Sequence, residues 1–220
     1  RLRHKGNQLG WSDWSSVATF KTLNLVAEKP LITYPLMGTQ DLPYAFTVKS
    51  TNFASVGDLE HMTTDWEIAT DAGFNNVIRR LDQSTTQKTA WPVELLPAGT
   101  NLYFRVRHNS DDGIISQWSE TVTAKTEALK VFTPVITSPL NNATDLNLIF
   151  TVTGSVFVAN NAAEHKDSDW QIATDSNFVG IFAQSLASQD KTSWTTPKLI
   201  ANVDYFIRVR YRSVDNTVSS

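Results

Sequence analysis

Along residues 101–108 apolar and polar positions alternate without a break: Leu102, Phe104, Val106 and His108 fall in one phase, Tyr103, Arg105 and Arg107 in the other. Only a strand puts two such sets on opposite faces, so this segment is expected to bury one side and expose the other. Similar period-two runs predict strands near 31–35, 44–50, 64–70, 76–82, 88–93 and 116–126, which with 101–108 make seven. Turn residues separate them: Pro35 with Gly38, Ser55 to Asp58, Asp71 with Gly73, Pro97 to Gly99, and Ser110 to Gly113. Seven short strands with a break roughly every ten residues describe an antiparallel β-sandwich. No segment carries the caps and 3.6-residue period of a long helix, so the pattern reads as all-β.

The pattern then returns. Asp65-Trp66-Glu67-Ile68-Ala69-Thr70-Asp71 reappears as Asp169-Trp170-Gln171-Ile172-Ala173-Thr174-Asp175, a shift of 104 residues. Phe46-Thr47-Val48 reappears as Phe150-Thr151-Val152 at the same shift, whereas Trp91 becomes Trp194 and Arg105-Val106-Arg107 becomes Arg208-Val209-Arg210 at 103. A third echo opens the chain, where Arg1-Leu2-Arg3-His4 and Trp14-Ser15 precede Arg105-Val106-Arg107-His108 and Trp118-Ser119 by 104. The expected organisation is therefore a tandem array of antiparallel seven-stranded β-sandwiches. Residues 1–26 are the closing strands of one repeat, 27–129 a complete repeat, and 130–220 a repeat truncated in its last strand. Linkers near 22–30 and 126–134 each end in a proline, Pro30 and Pro134, which stiffens the joint. With Arg1 in first place and no signal peptide, the 220 residues read as a stretch of something longer.

Composition narrows the picture. A hydrophobic content of 41% fills real cores, and a formal net charge of −3 argues against nucleic acid, which calls for a basic stripe. No apolar run of eighteen residues occurs, so no membrane-inserting helix is expected. The absence of cysteine removes disulfides, thiol chemistry and cysteine zinc sites, leaving the core alone to stabilise each repeat.

The run Leu96-Pro97-Ala98-Gly99-Thr100-Asn101-Leu102-Tyr103-Phe104-Arg105-Val106 resembles the turn into the sixth strand of fibronectin type III domains. The resemblance implies a tyrosine hydroxyl tethering that corner to nearby backbone; the third copy has Tyr205 there, the middle one Leu102. A tryptophan on the third strand, Trp66 and Trp170, is similar to immunoglobulin domains instead. Trp11-Ser12-Asp13-Trp14-Ser15 resembles the WSXWS box of type I cytokine receptors, which implies a ladder of tryptophan rings between guanidiniums: Arg1 and Arg3 with Trp11 and Trp14, and Arg105 and Arg107 with Trp118. Such receptors carry cysteine pairs and unlike paired domains, so the receptor reading is set aside.

Reactive motifs are missing: no phosphate-cradling glycine loop, HExxH, GxSxG or cysteine nucleophile. Neither an enzyme nor a cofactor is expected. Of the four histidines, His4 and His108 fall on the inward phase of a strand, which marks a satisfied core group. Glu60 and His61 with Asp65 recur as Glu164 and His165 with Asp169, a candidate divalent-cation set in each repeat; the plainer reading is a hydrogen-bonded loop before the third strand. Asp111-Asp112-Gly113 reads as turn chemistry and Asn142-Ala143-Thr144 as a glycosylation pattern.

Near-identical, cysteine-free modules of this kind are similar to fibronectin-type repeats in the tail and tail-fibre proteins of tailed bacteriophages. That resemblance implies an extracellular, virion-tail location, other virion tail proteins and host cell-surface glycans or proteins as partners, and a homo-oligomer. The alternative is a bacterial adhesin stalk, or accessory modules of a secreted polysaccharide-degrading enzyme.

Overall fold

In the computed structural model, which describes residues 1–8 and 10–220, strands account for all regular structure; among the described residues there is no helix. The leading segment holds β1 (Lys5–Gly6), β2 (Gly10–Trp11) and β3 (Val26–Ala27). The middle repeat holds β4 (Ile32–Tyr34), β5 (Phe46–Ser50), β6 (Ser55–Val56), β7 (His61–Ala69), β8 (Val77–Ser84), β9 (Ala90–Val93), β10 (Asn101–Ser110) and β11 (Val122–Lys125). The third repeat holds β12 (Ile136–Ser138), β13 (Thr151–Gly154), β14 (His165–Ala173), β15 (Ile181–Ser188), β16 (Ser193–Thr195) and β17 (Phe206–Ser213).

In the middle repeat one sheet has the order β4-β5-β9 and the other β11-β10-β7-β8, all pairs antiparallel. Together they are the seven strands of a fibronectin type III or immunoglobulin-like sandwich, and β6 is an extra short strand outside both sheets. Register explains the core. Val106 lies opposite Trp66 and Phe104 opposite Ile68, so the inward phase of β10 meets that of β7, and these four side chains are at most 1% exposed. Val48 of β5 and Val93 of β9 close over them from the other sheet. Each such side chain contributes about 1.5–3 kcal/mol through burial. Trp66 also satisfies its polar edge, its Nε1–H donating to Gln87 O at 2.7 Å.

The third repeat follows the same plan with sheets β12-β13-β16 and β15-β14-β17, and Val152, Trp170 and Ile172 are fully buried. It has six strands, and β17 has a partner on one side only. Ile207 and Val209 are accordingly half-buried, where their counterparts Phe104 and Val106 lie on a strand paired on both sides and are at most 1% exposed.

The linkers are bonded into the fold. Val26 pairs with Val56 and Ala27 with Ser55, Glu28 N donates to Ala54 O at 2.8 Å, and Thr51 N donates to Leu31 O at 2.9 Å. The second linker repeats the scheme: Val131 bridges Ala159, Phe132 N donates to Val158 O at 2.9 Å, and Asn160 N donates to Lys130 O at 3.1 Å. Its upstream end is fastened to the middle repeat, with Glu127 N donating to Leu42 O at 2.9 Å and Gly99 N to Glu127 O at 2.7 Å.

Candidate functional site

The alternation of β10 sends Arg105 and Arg107 to the outer face, and register sets them directly opposite Glu67 and Asp65 of β7. These carboxylates are only 5% and 3% exposed. Arg107 Nε donates to Asp65 Oδ2 at 2.8 Å, Arg105 Nε to Glu67 Oε2 at 2.7 Å, and Arg80 Nη2 lies 2.6 Å from Glu67 Oε1. The other Asp65 oxygen accepts Gln83 N at 2.7 Å, where β8 bulges and Gln83 takes a positive φ of 48°. The guanidinium faces are covered as well. Arg105 and Arg107 lie 4.4 and 4.5 Å from the Trp118 ring centre, and Phe74 lies 4.0 Å from Arg105 on its other side.

Phe74 and the two carboxylates were not among the residues expected at this face. Phe74 is presented by a turn built on Asp71, whose carboxylate accepts Asn76 N at 2.7 Å, Asn75 N at 3.1 Å and Gly73 N at 3.0 Å. Those N–H groups, Asn76 first, hold its carboxyl below the usual carboxylate range. The signal was present in the repeat: Thr70-Asp71-Ala72-Gly73-Phe74 returns as Thr174-Asp175-Ser176-Asn177-Phe178, and Phe178 lies 4.1 Å from Arg208.

Serines fix where Trp118 falls. Ser116 N donates to His108 O at 2.9 Å while Ser116 Oγ accepts His108 N at 3.0 Å; Ser119 makes the same two-way bracket with Val106 at 2.8 and 3.1 Å. Ser12 and Ser15 bracket His4 and Leu2 in the leading segment, and Ser219 brackets Tyr211 in the third repeat. Side-chain oxygens replace a ladder here, which is why the strand expected over 116–126 is confined to Val122–Lys125. Ser119→Ala leaves the buried Val106 N–H without an acceptor and is expected to cost about 1–3 kcal/mol in chemical denaturation of the middle repeat. An unchanged midpoint would show the bracket to be incidental.

The leading segment places Arg3 at 4.3 Å from Trp11 and 4.7 Å from Trp14, with Lys5 at 5.7 Å from Trp11. Arg1, expected on this ladder, stacks on neither ring among the described residues. His4 is exposed where His108 is fully buried. In the third repeat Arg210 and Arg212 pair with Asp169 at 2.8 and 3.1 Å. Burial pushes the Asp169 carboxyl up, but Ala187 N, Arg210 and Arg212 outweigh it and hold the group below its ordinary value.

The cation candidates do not converge. Asp65 points to Arg107, Glu60 is exposed, and His61 turns inward to stack on Phe53 at 5.1 Å with its Nε2 on Thr64 Oγ1 at 2.8 Å. Asp169, Glu164 and His165 part in the same way, His165 stacking on Phe157 at 4.8 Å. Among the described residues no three acidic or histidine side chains are grouped to hold a metal. Asp111 accepts Glu60 N at 2.9 Å and Gly113 closes a turn at φ 75°, while Asn142 sits exposed at φ 63°. At the corner before β17, Ile200 N donates to the Tyr205 hydroxyl at 3.0 Å. In the middle repeat Leu102 is buried and Thr126 holds the corner, donating to Pro97 O at 2.6 Å and accepting Thr100 N at 2.9 Å. The outer face thus spends its charges on one another, which makes it a clamp between strands.

No protein-family model matches the chain, and no curated protein matches it in sequence. Among solved structures the chain is similar to the fibronectin(III)-like modules of Clostridium thermocellum CbhA, at 13% identity over 87% of this chain and 89% of that chain, with a TM-score of 0.33. It is also similar to the FN1–FN3 domains of chicken CNTN1, at 12% identity, 97% and 69% coverage and a TM-score of 0.34. A third likeness, to CopC from Methylosinus trichosporium OB3b, has 12% identity, 48% and 95% coverage and a TM-score of 0.30.

Proposed function

We propose that the chain is a non-catalytic spacer of the bacteriophage tail, part of a tail-fibre or tail-decorating protein. It extends a shaft outside the cell, assembles with other virion tail proteins as a homo-oligomer, and makes weak contacts with host-surface glycans or proteins. The observation that carries the spacer reading is the joint. Each linker pairs backbone to backbone with the repeat that follows, through equivalent partners at both joints, and at the second its upstream end is also bonded back to the middle repeat. Asn160 adds a side-chain clasp at the second, donating from Nδ2 to Ala128 O at 3.0 Å and accepting Lys130 N at 2.8 Å. Linkers held this way resist bending, unlike solvated tethers, which behave as coils.

Asn160→Ala is expected to broaden the distance distribution between the middle and third repeats in small-angle scattering while leaving both melting transitions nearly in place. An unaltered distribution would count against the clasp. The virion assignment is tested by the genes flanking the full-length coding sequence and by immunogold labelling with an antibody to residues 27–129. Tail genes and labelled tails support it; a wall anchor or a fused hydrolase domain, with label on bacterial surfaces or in secreted fractions, overturns it.

A further inference from the structure

Where the stretch after β5 crosses the start of β7 and the end of β10, the middle repeat holds a box of three rings. His61 and His108 have ring centres 4.4 Å apart, and Phe53 stacks on His61 while lying 6.0 Å from His108. His108 is fully buried and neither of its ring nitrogens has a hydrogen-bond partner. Phe53 belongs to the stretch 51–56 that receives the preceding linker, so the box and the first joint share one piece of backbone.

The third repeat is an internal control. Its box is Phe157, His165 and Tyr211, with Tyr211 where the middle repeat has His108. The Tyr211 hydroxyl donates to Ser155 O at 2.6 Å, tying the box to the stretch that receives the second linker. The exchange is accommodated by a second one. Gly154 stands where the middle repeat has Ser50, and a β-carbon at 154 would collide with the Tyr211 hydroxyl.

We propose that the first joint is more acid-sensitive than the second: protonation of the His61–His108 pair opens the box, frees Phe53 and unpairs β3 from β6. An imidazolium at 108 would sit against a second imidazole, with no acceptor within reach. The charged group nearest His61 is itself cationic, Lys88 Nζ donating to His61 O at 2.5 Å. Phe53 and Thr64 contribute no charge, and the acidic side chains nearby look elsewhere: Glu60 is exposed and Asp111 accepts Glu60 N. Burial, with His61 adding to it, pushes His108 from its ordinary 6.5 down to about 4, and burial followed by Lys88 lowers His61. A histidine with a depressed folded pKa stabilises the fold above pH 6.5, and that contribution is lost as pH falls towards 4. Tyr211 stays neutral throughout this range, burial raising its pKa further, so His165 is the one imidazole of its box; burial lowers it too, with Lys191 adding and Asp167 opposing.

The test is amide hydrogen exchange on the full chain at pH 7 and pH 5, corrected for the intrinsic rate. Glu28, whose N–H bonds across the first joint, should lose protection at least tenfold, while Phe132 and Asn160 at the second joint should lose clearly less. The double variant Ser50→Gly/His108→Tyr should reduce the loss at Glu28 to that of Phe132, and Gly154→Ser/Tyr211→His should raise the loss at Phe132 to that of wild-type Glu28. Equal protection of Glu28 at both pH values overturns the proposal, as does an undiminished loss in a folded Ser50→Gly/His108→Tyr chain. The wild-type comparison of Glu28 with Phe132 stands even if a variant does not fold. The inference rests on the joint geometry and holds whether or not the array belongs to a virion.

Discussion

Trp66→Ala is expected to destabilise the middle repeat by about 3–5 kcal/mol. The indole is 1% exposed, spans the core between Val106 and Trp91, and donates to Gln87 O, so its removal leaves both a cavity and an unpaired carbonyl. A domain of this size has about 5–15 kcal/mol to lose. Urea titration followed by tryptophan fluorescence should therefore show the middle repeat unfolding first and the third repeat in place. Trp170→Ala should give the opposite order, since Trp170 is fully buried and donates to Asp190 O at 3.2 Å. A loss below about 1 kcal/mol for Trp66→Ala would mean the core closes over the gap, contradicting the packing described.

Arg107→Ala comes second, at about 3 kcal/mol, the lower end of the range for breaking a buried ion pair. The size of the effect separates two accounts of the arginine–tryptophan face. If the stack on Trp118 dominated, losing one half-exposed rung would cost only about 0.5–1 kcal/mol. Asp65 is 3% exposed, however, and without Arg107 its charge keeps only the Gln83 N–H. The carboxylate therefore decides the outcome. Arg107→Ala made in an Asp65→Asn background should cost only the stacking share, because no buried charge is then stranded. Equal losses in both backgrounds would return the role to the ring. Arg105→Ala/Arg107→Ala should lower the melting temperature further, at roughly 4–8 °C per kcal/mol for a repeat of this length.

Much of the sandwich was legible because strand residues advertise their faces. The alternation at 101–108 and the reappearance of Asp65–Asp71 at 169–175 mark the central strands, whose periods are long and whose faces contrast sharply. β6 escaped notice because Ser55-Val56 is short and reads as turn; its partner is the linker, and such distant pairing leaves no periodic trace. The face was half legible. Trp118 and its arginines stand out by type, whereas Glu67 sits in a strand where a charged residue reads as solvent-facing. Only the register of β7 against β10, with Arg80 closing from the far side, reveals that it is buried. The grouping of Glu60, His61 and Asp65 failed for a related reason: His61 and Asp65, four apart, would share a face of a regular strand, but the bulge between His61 and Thr63 flips the phase, so His61 turns inward and Asp65 outward.

The fastening of the second linker has a mechanical consequence. Between Glu127, bonded back to the middle repeat, and Lys130, bonded forward to the third, only Ala128 and Leu129 intervene. At about 3.5 Å per extended residue those two span at most roughly 7 Å, and Asn160 already holds Ala128 O, so little slack is left. Tension applied along the array would exhaust that slack almost at once and then bear on the short backbone pairings at each junction. Such a chain transmits load and torque from repeat to repeat with little compliance, until a junction shears and lengthens the array in one discrete step.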